Sequence, residues 1–217
     1  MGNPRKEVSV AIVDAQNYVT ELYRELNLLF ESVHRTLAHR GFVYSKQDPF
    51  SRTSGDADQI EWWLRRFLSQ SYCEDPARRE NSDQNPTRFL EVMARLRSAR
   101  SGFNPELHGA LIEFREPAKE AQPYGWLHDL FFHEAFSKFS KARAGRVYEL
   151  QDGVGNWPKV KRIVGFCLDL TAMDSAEVVE ECVSKPLIKL WENDVPSVEK
   201  LLESRPEAVV FNPRDVS

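Results

Sequence analysis

The stretch Phe89-Leu90-Glu91-Val92-Met93-Ala94-Arg95-Leu96-Arg97 sets Leu90, Val92, Ala94 and Leu96 against Phe89, Glu91, Met93, Arg95 and Arg97. Successive side chains of an extended chain point to opposite faces, so this alternation predicts a strand with one buried face and one wet or covered face. Ser101-Gly102 turns the chain. Beyond Asn104-Pro105 the alternation returns over residues 107–115, where Ala110, Ile112 and Phe114 oppose Glu113 and Arg115. The two strands are expected to pair antiparallel as a hairpin, and short connections between successive strands favour a meander.

On the N-terminal side, Ile12, Ala15, Val19, Leu22, Leu26, Leu29, Val33 and Leu37 recur at spacings of three and four, with Arg24, Glu25, Glu31 and Arg35 on the other faces. That is the stripe of a long amphipathic helix. About thirty residues at about 1.5 Å each span roughly 45 Å, more than a domain of this size is wide. The helix therefore either lies across a sheet or pairs with another chain, and the first reading ranks ahead because Tyr23 and Phe30 fall off the seam. Gly41 sits where a helix commonly ends, and Phe42-Val43-Tyr44 reads as a short strand. Residues 45–58 are polar. Residues 60–72, with Trp62, Trp63, Phe67 and Tyr72, suit a helix or a strand equally, and residues 74–86 read as a long loop.

Towards the C-terminus, residues 124–142 carry aromatic side chains around most of a helical circumference, as expected of a deeply buried helix. Residues 147–150 read as a strand. The apolar run Ile163-Val164-Gly165-Phe166-Cys167-Leu168-Asp169-Leu170 suits a strand covered on both faces. Asp174-Ser175 offers a cap for a helix from Ala176, and Pro186 kinks that helix or begins a second piece. The expected fold is α+β: a mixed or mainly antiparallel sheet covered by the long first helix, the aromatic helix and C-terminal helices. Residues 1–194 are assigned to one domain, and residues 195–217 to a small helical appendage and tail.

The 217 residues include 29 Lys and Arg against 33 Asp and Glu, a net charge of −4. An acidic chain is a poor general binder of polyanions, so nucleic acid is not a favoured partner. Three widely spaced cysteines, Cys73, Cys167 and Cys182, show neither a disulfide framework nor the spacing of a zinc site, and a reducing cytoplasm is the expected compartment. Neither a signal peptide nor a run of about 20 apolar residues appears, so no membrane association is expected.

Nucleotide-binding glycine loops and the zincin, hydrolase-elbow and calcium-loop patterns are absent, and no cofactor is expected. Three constellations remain. His128, Asp129, His133 and Glu134 include an Asp-x-x-x-His pair that shares one helical face and could ligate a divalent metal or act as acid and base. Such pairs arise more often as local salt bridges, and a metal site needs further donors such as Glu113, Glu149 or Asp169. Asp169 stands at the carboxyl end of an apolar strand, where sheets often carry functional groups. Arg65, Arg66, Arg88, Arg95 and Arg97 belong to an arginine-rich stretch, with six arginines against three acids between residues 78 and 100, which reads first as a solvated face and second as a contact surface.

Cys167, inside an apolar run, should be inert, and no local motif pairs Cys73 with a histidine. With every catalytic motif failing, the leading expectation is a non-catalytic interaction protein that binds a protein partner through its first helix, its arginine face or both, with homodimerisation through that helix as one form. A metal-dependent hydrolase or phosphodiesterase built on Asp129, His133 and Asp169 is the alternative. A small-molecule sensor with a pocket of Trp126, Phe131 and Trp157 is the third.

Overall fold

The computed structural model describes residues 4–45, 67–78, 86–96, 105–117, 146–151 and 160–209. The first helix, α1 (Pro4–His39), begins earlier than the stripe predicts. It ends on Gly41 at φ 88°, a left-handed conformation that glycine adopts at little cost. Six strands follow: β1 (Phe42–Tyr44), β2 (Phe67–Glu74), β3 (Arg88–Arg95), β4 (Glu106–Phe114), β5 (Val147–Gln151) and β6 (Val160–Asp169). They form one sheet in the order β1-β2-β3-β4-β6-β5, every pair antiparallel. The fold is thus α+β with an antiparallel sheet. The β3–β4 hairpin pairs as expected, Leu90 opposite Leu111 and Val92 opposite Gly109. The open reading of residues 60–72 is decided in part: from Phe67 onward they are strand. The aromatic segment of residues 124–142 lies outside the described residues.

Past β6 come α2 (Ala176–Val179), a π turn (Glu180–Ser184), α3 (Lys185–Trp191) and α4 (Val195–Glu203). Ser175 caps α2 by accepting a hydrogen bond from the Val178 amide at 3.2 Å, and Asp194 caps α4 through the Ser197 amide at 3.2 Å. Pro186 follows directly on the π turn with Ser184 and Lys185 already in helical conformation, so its missing N–H leaves a gap in the hydrogen-bond ladder where the helix changes type. No helix among the described residues is long and apolar enough to cross a membrane.

The period of two assigns the sheet's faces. Leu68, Tyr72, Leu90, Val92, Leu107, Leu111, Val164, Phe166 and Leu168 join one buried core with Leu26, Leu29, Phe30, Val33 and Leu37 of α1, Val183 of the π turn, Leu187 and Leu190 of α3, and Val198 and Leu202 of α4. Buried apolar side chains are each worth roughly 1.5–3 kcal/mol, so the five from α1 dock its C-terminal half firmly. The N-terminal half differs: residues 13–18 are all exposed, Tyr18 at 71% and Val13 at 51%. At about 1.5 Å per residue the 36-residue helix is about 54 Å long, so one end lies on the sheet while the other continues beyond it.

The opposite face of the sheet is also buried. Phe89, Met93, Ala110, Ile112, Tyr148, Ile163 and Cys167 lie there, together with Glu91 and His108. Register places Glu91 opposite Ala110, Ala110 opposite Gly165, and Gly165 opposite Tyr148, so the tyrosine ring lies across the glycine. A methyl on Gly165 would meet the Tyr148 ring and the Gly109 carbonyl oxygen at 2.7 Å. Gly165→Ala is therefore expected to cost about 1–3 kcal/mol by overpacking. A urea denaturation midpoint equal to that of wild type would show that the sheet yields without strain.

At the β5 edge, Glu199 of α4 accepts hydrogen bonds from the Arg146 and Val147 amides at 3.0 and 3.1 Å.

Candidate functional site

The chemistry-bearing side chains gather on the buried face away from α1. Glu106 and His108 are two apart on β4 and so share that face, and register pairs His108 with Cys167 and Glu106 with both Arg95 and Asp169. His108 Nε2 is 3.1 Å from Glu106 Oε2 and 3.7 Å from Cys167 Sγ. One Arg95 guanidinium nitrogen donates to the same Glu106 oxygen at 3.2 Å. The three ligand atoms of Glu106, His108 and Cys167 lie within 4.8 Å of one another and could hold a metal ion.

Burial sets the protonation states. It pushes the His108 imidazole down, aided by the nearby Arg95 charge and only partly offset by Glu106, so the ring is neutral near neutral pH. Burial would raise the Glu106 carboxyl, but the His108 hydrogen bond and the Arg95 cation outweigh it and hold it below the usual carboxylate range. Burial pushes the Cys167 thiol well up. The Tyr148 hydroxyl is likewise raised, first by burial and then by Cys167, Glu91 and Glu106.

This arrangement is not a nucleophile–base–acid relay. In such a relay the two ring nitrogens are divided between nucleophile and acid, whereas here Cys167 and Glu106 both approach Nε2. A buried thiol with a raised pKa is also a poor nucleophile.

The depressed His108 pKa makes stability fall with acidification. The unfolded chain takes up a proton near pH 6.5 that the native imidazole refuses, so stability is lost as pH drops through about 6.5. Glu106, depressed in the native state, extends the loss at lower pH. His34, pushed down by its own burial, adds to the first step. Urea midpoints of the metal-free protein at about pH 7.5 and about pH 5.5 should differ, and the difference should shrink in His108→Gln. An equal difference in that variant would assign the effect elsewhere.

A second polar cluster lies on the α1 face. Glu113 holds Arg88 at 3.2 Å and Arg162 at 3.5 Å, and Arg162 reaches Glu149 at 3.7 Å. Arg88 also donates to the Trp191 carbonyl at 2.6 Å and stacks over that indole at 4.4 Å, while Asn193 accepts from Arg162 at 3.1 Å. Asn193 adopts φ 59°, a left-handed conformation that asparagine tolerates. The cluster ties the end of α3 to the sheet.

Arg88 and Arg95, grouped by the sequence, therefore lie on opposite faces, each in an internal ion pair. Arg65, Arg66 and Arg97 lie outside the described residues, as do His128, Asp129, His133 and Glu134 and the sensor residues Trp126, Phe131 and Trp157. Asp169 is described: its carboxylate accepts from the Thr171 amide at 2.8 Å and the Thr171 hydroxyl at 2.6 Å, capping a short 3-10 turn. The Glu106–His108–Cys167 cluster follows no sequence motif, since its members are brought together only by strand register.

A third feature is a cleft of about 390 Å³ where α1 leaves the sheet. Tyr18, Leu22, Leu26, Leu96, Pro105 and Met173 line it, with Glu25 as its carboxylate. No family model, curated protein or solved structure matches the chain.

Proposed function

We propose that the chain is a non-catalytic interaction protein whose working surface is the free half of α1 and the cleft beneath it, and that a second copy of the chain occupies that surface. The observation that carries this reading is the continuity of one seam. Ala15 is exposed, Val19 and Leu22 are half-buried, and Leu26 is buried, so the stripe that docks α1 on the sheet runs on without a break into solvent. Apolar spacing that persists as the side chains pass from buried to exposed is what a partner helix needs.

An antiparallel second α1 fits because the arrangement is self-complementary, each copy presenting the same patch to the other. Three cysteines, each a buried thiol, suit a reducing cytoplasm as the place of action.

Sedimentation equilibrium at micromolar concentration should report a dimer. Ala15→Asp with Tyr18→Asp should return it to monomer while leaving the melting transition of the body in place, because both side chains are exposed, Ala15 on the seam and Tyr18 at the cleft. A wild-type monomer over the same concentrations would overturn the reading.

A further inference from the structure

We infer that Glu106, His108 and Cys167 form a binding site for one zinc ion, buried on the face of the sheet away from α1. The inference stands apart from dimerisation.

The first argument is distance. In a tetrahedral zinc site with bonds of about 2.0–2.1 Å to nitrogen and oxygen and about 2.3 Å to sulfur, neighbouring ligand atoms are separated by about 3.4 Å (N to O) and about 3.5 Å (N to S). The structure has His108 Nε2 3.1 Å from Glu106 Oε2 and 3.7 Å from Cys167 Sγ. Two edges of the tetrahedron are thus set to within a few tenths of an ångström.

The second argument is convergence on one atom. A single imidazole nitrogen either carries a hydrogen or accepts one. With its hydrogen, Nε2 donates to Glu106, and the weakly donating Cys167 thiol stands beside it. Bare, it presents its lone pair to a carboxylate and a sulfur together, and all three can then point at one cation.

The third argument is the surrounding structure. The ligands stand on two paired strands at the middle of the sheet, a rigid mounting. Arg95 grips Glu106 from outside, the kind of outer contact that orients a ligating carboxylate. Imidazole, thiolate and carboxylate together suit zinc better than calcium or magnesium, which take oxygen alone. Three protein donors leave the fourth position to water or an added ligand.

Binding is balanced by one proton. The Cys167 S–H bond breaks as the sulfur–zinc bond forms, its proton leaves to buffer, and nothing is oxidised or reduced. His108 binds through its neutral lone pair and Glu106 through its existing charge.

Cobalt(II) titrated into the metal-free full chain should give one equivalent with a sulfur-to-cobalt charge-transfer band, and zinc should displace it. Cys167→Ser should lose that band, whereas Cys182→Ser, at a buried thiol in the π turn, should keep it. X-ray absorption on the wild-type zinc form should show one sulfur at about 2.3 Å, a readout that survives if the variant fails to fold. Calorimetry in buffers of different ionisation enthalpy should report about one proton released per ion. The inference fails if the wild-type chain yields zinc completely to a weak chelator, if absorption shows no sulfur at the metal, or if folded Cys167→Ser keeps the cobalt band.

Discussion

Leu37→Ala is expected to destabilise the chain by about 2–5 kcal/mol, the range for emptying a buried leucine site that relaxes only in part. Leu37 has no exposed surface and packs in the core shared by α1, the sheet and the C-terminal helices. The informative control is on the same helix. Tyr18→Ala, at a position 71% exposed, should leave stability within about 0.5 kcal/mol and weaken self-association instead. Urea denaturation of both variants, with sedimentation at matched concentrations, separates the two halves of α1. Equal losses of stability would mean that the helix docks along its whole length.

The second large effect is expected at Glu113. Its carboxylate is only 14% exposed and lies between Arg88 and Arg162. Removing one partner of a poorly solvated ion pair leaves charge without compensation, so Glu113→Ala should cost about 3 kcal/mol. Burial pushes the Arg88 guanidinium down, with Glu113 opposing the shift and Arg162 adding to it. Combining Arg88→Leu with Glu113→Leu should cost less than the two single changes added together, because neither charge is then left behind. Additive losses in a double-mutant cycle would mean that the two side chains act independently.

The elements with clear periods were legible in the sequence. Residues 89–95 and 107–114 alternate as strands and pair as a hairpin, and the spacing over residues 12–37 marks α1. The Asp174-Ser175 signal led to the correct cap, and Pro186 to a break in helical regularity. Residues 60–72 stayed ambiguous because aromatic side chains suit both helix and strand. In β2, Leu68 and Tyr72 enter the core while Ser69 and Ser71 face the other side, an alternation that five residues of sequence express only weakly.

The candidate site was illegible for a different reason. Glu106 and His108 are near neighbours, but Cys167 lies 59 residues beyond His108, and only the β4–β6 register brings their side chains together. Cys167 looked like core because its strand neighbours are apolar. The second face of β3 could be read only as wet or covered, so burial of Glu91 beneath the sheet was beyond reach of the pattern.

The Glu199 carboxylate at the start of β5 has a consequence for how the protein meets others. An open strand edge is a template on which foreign chains can polymerise, and its first free amides nucleate the growth. Here the Arg146 and Val147 amides are already engaged by a side chain, while the opposite margin of the sheet, β1, is three residues long. Among the described residues, pairing with a foreign strand is thereby hindered at the start of β5 and offered little length at β1.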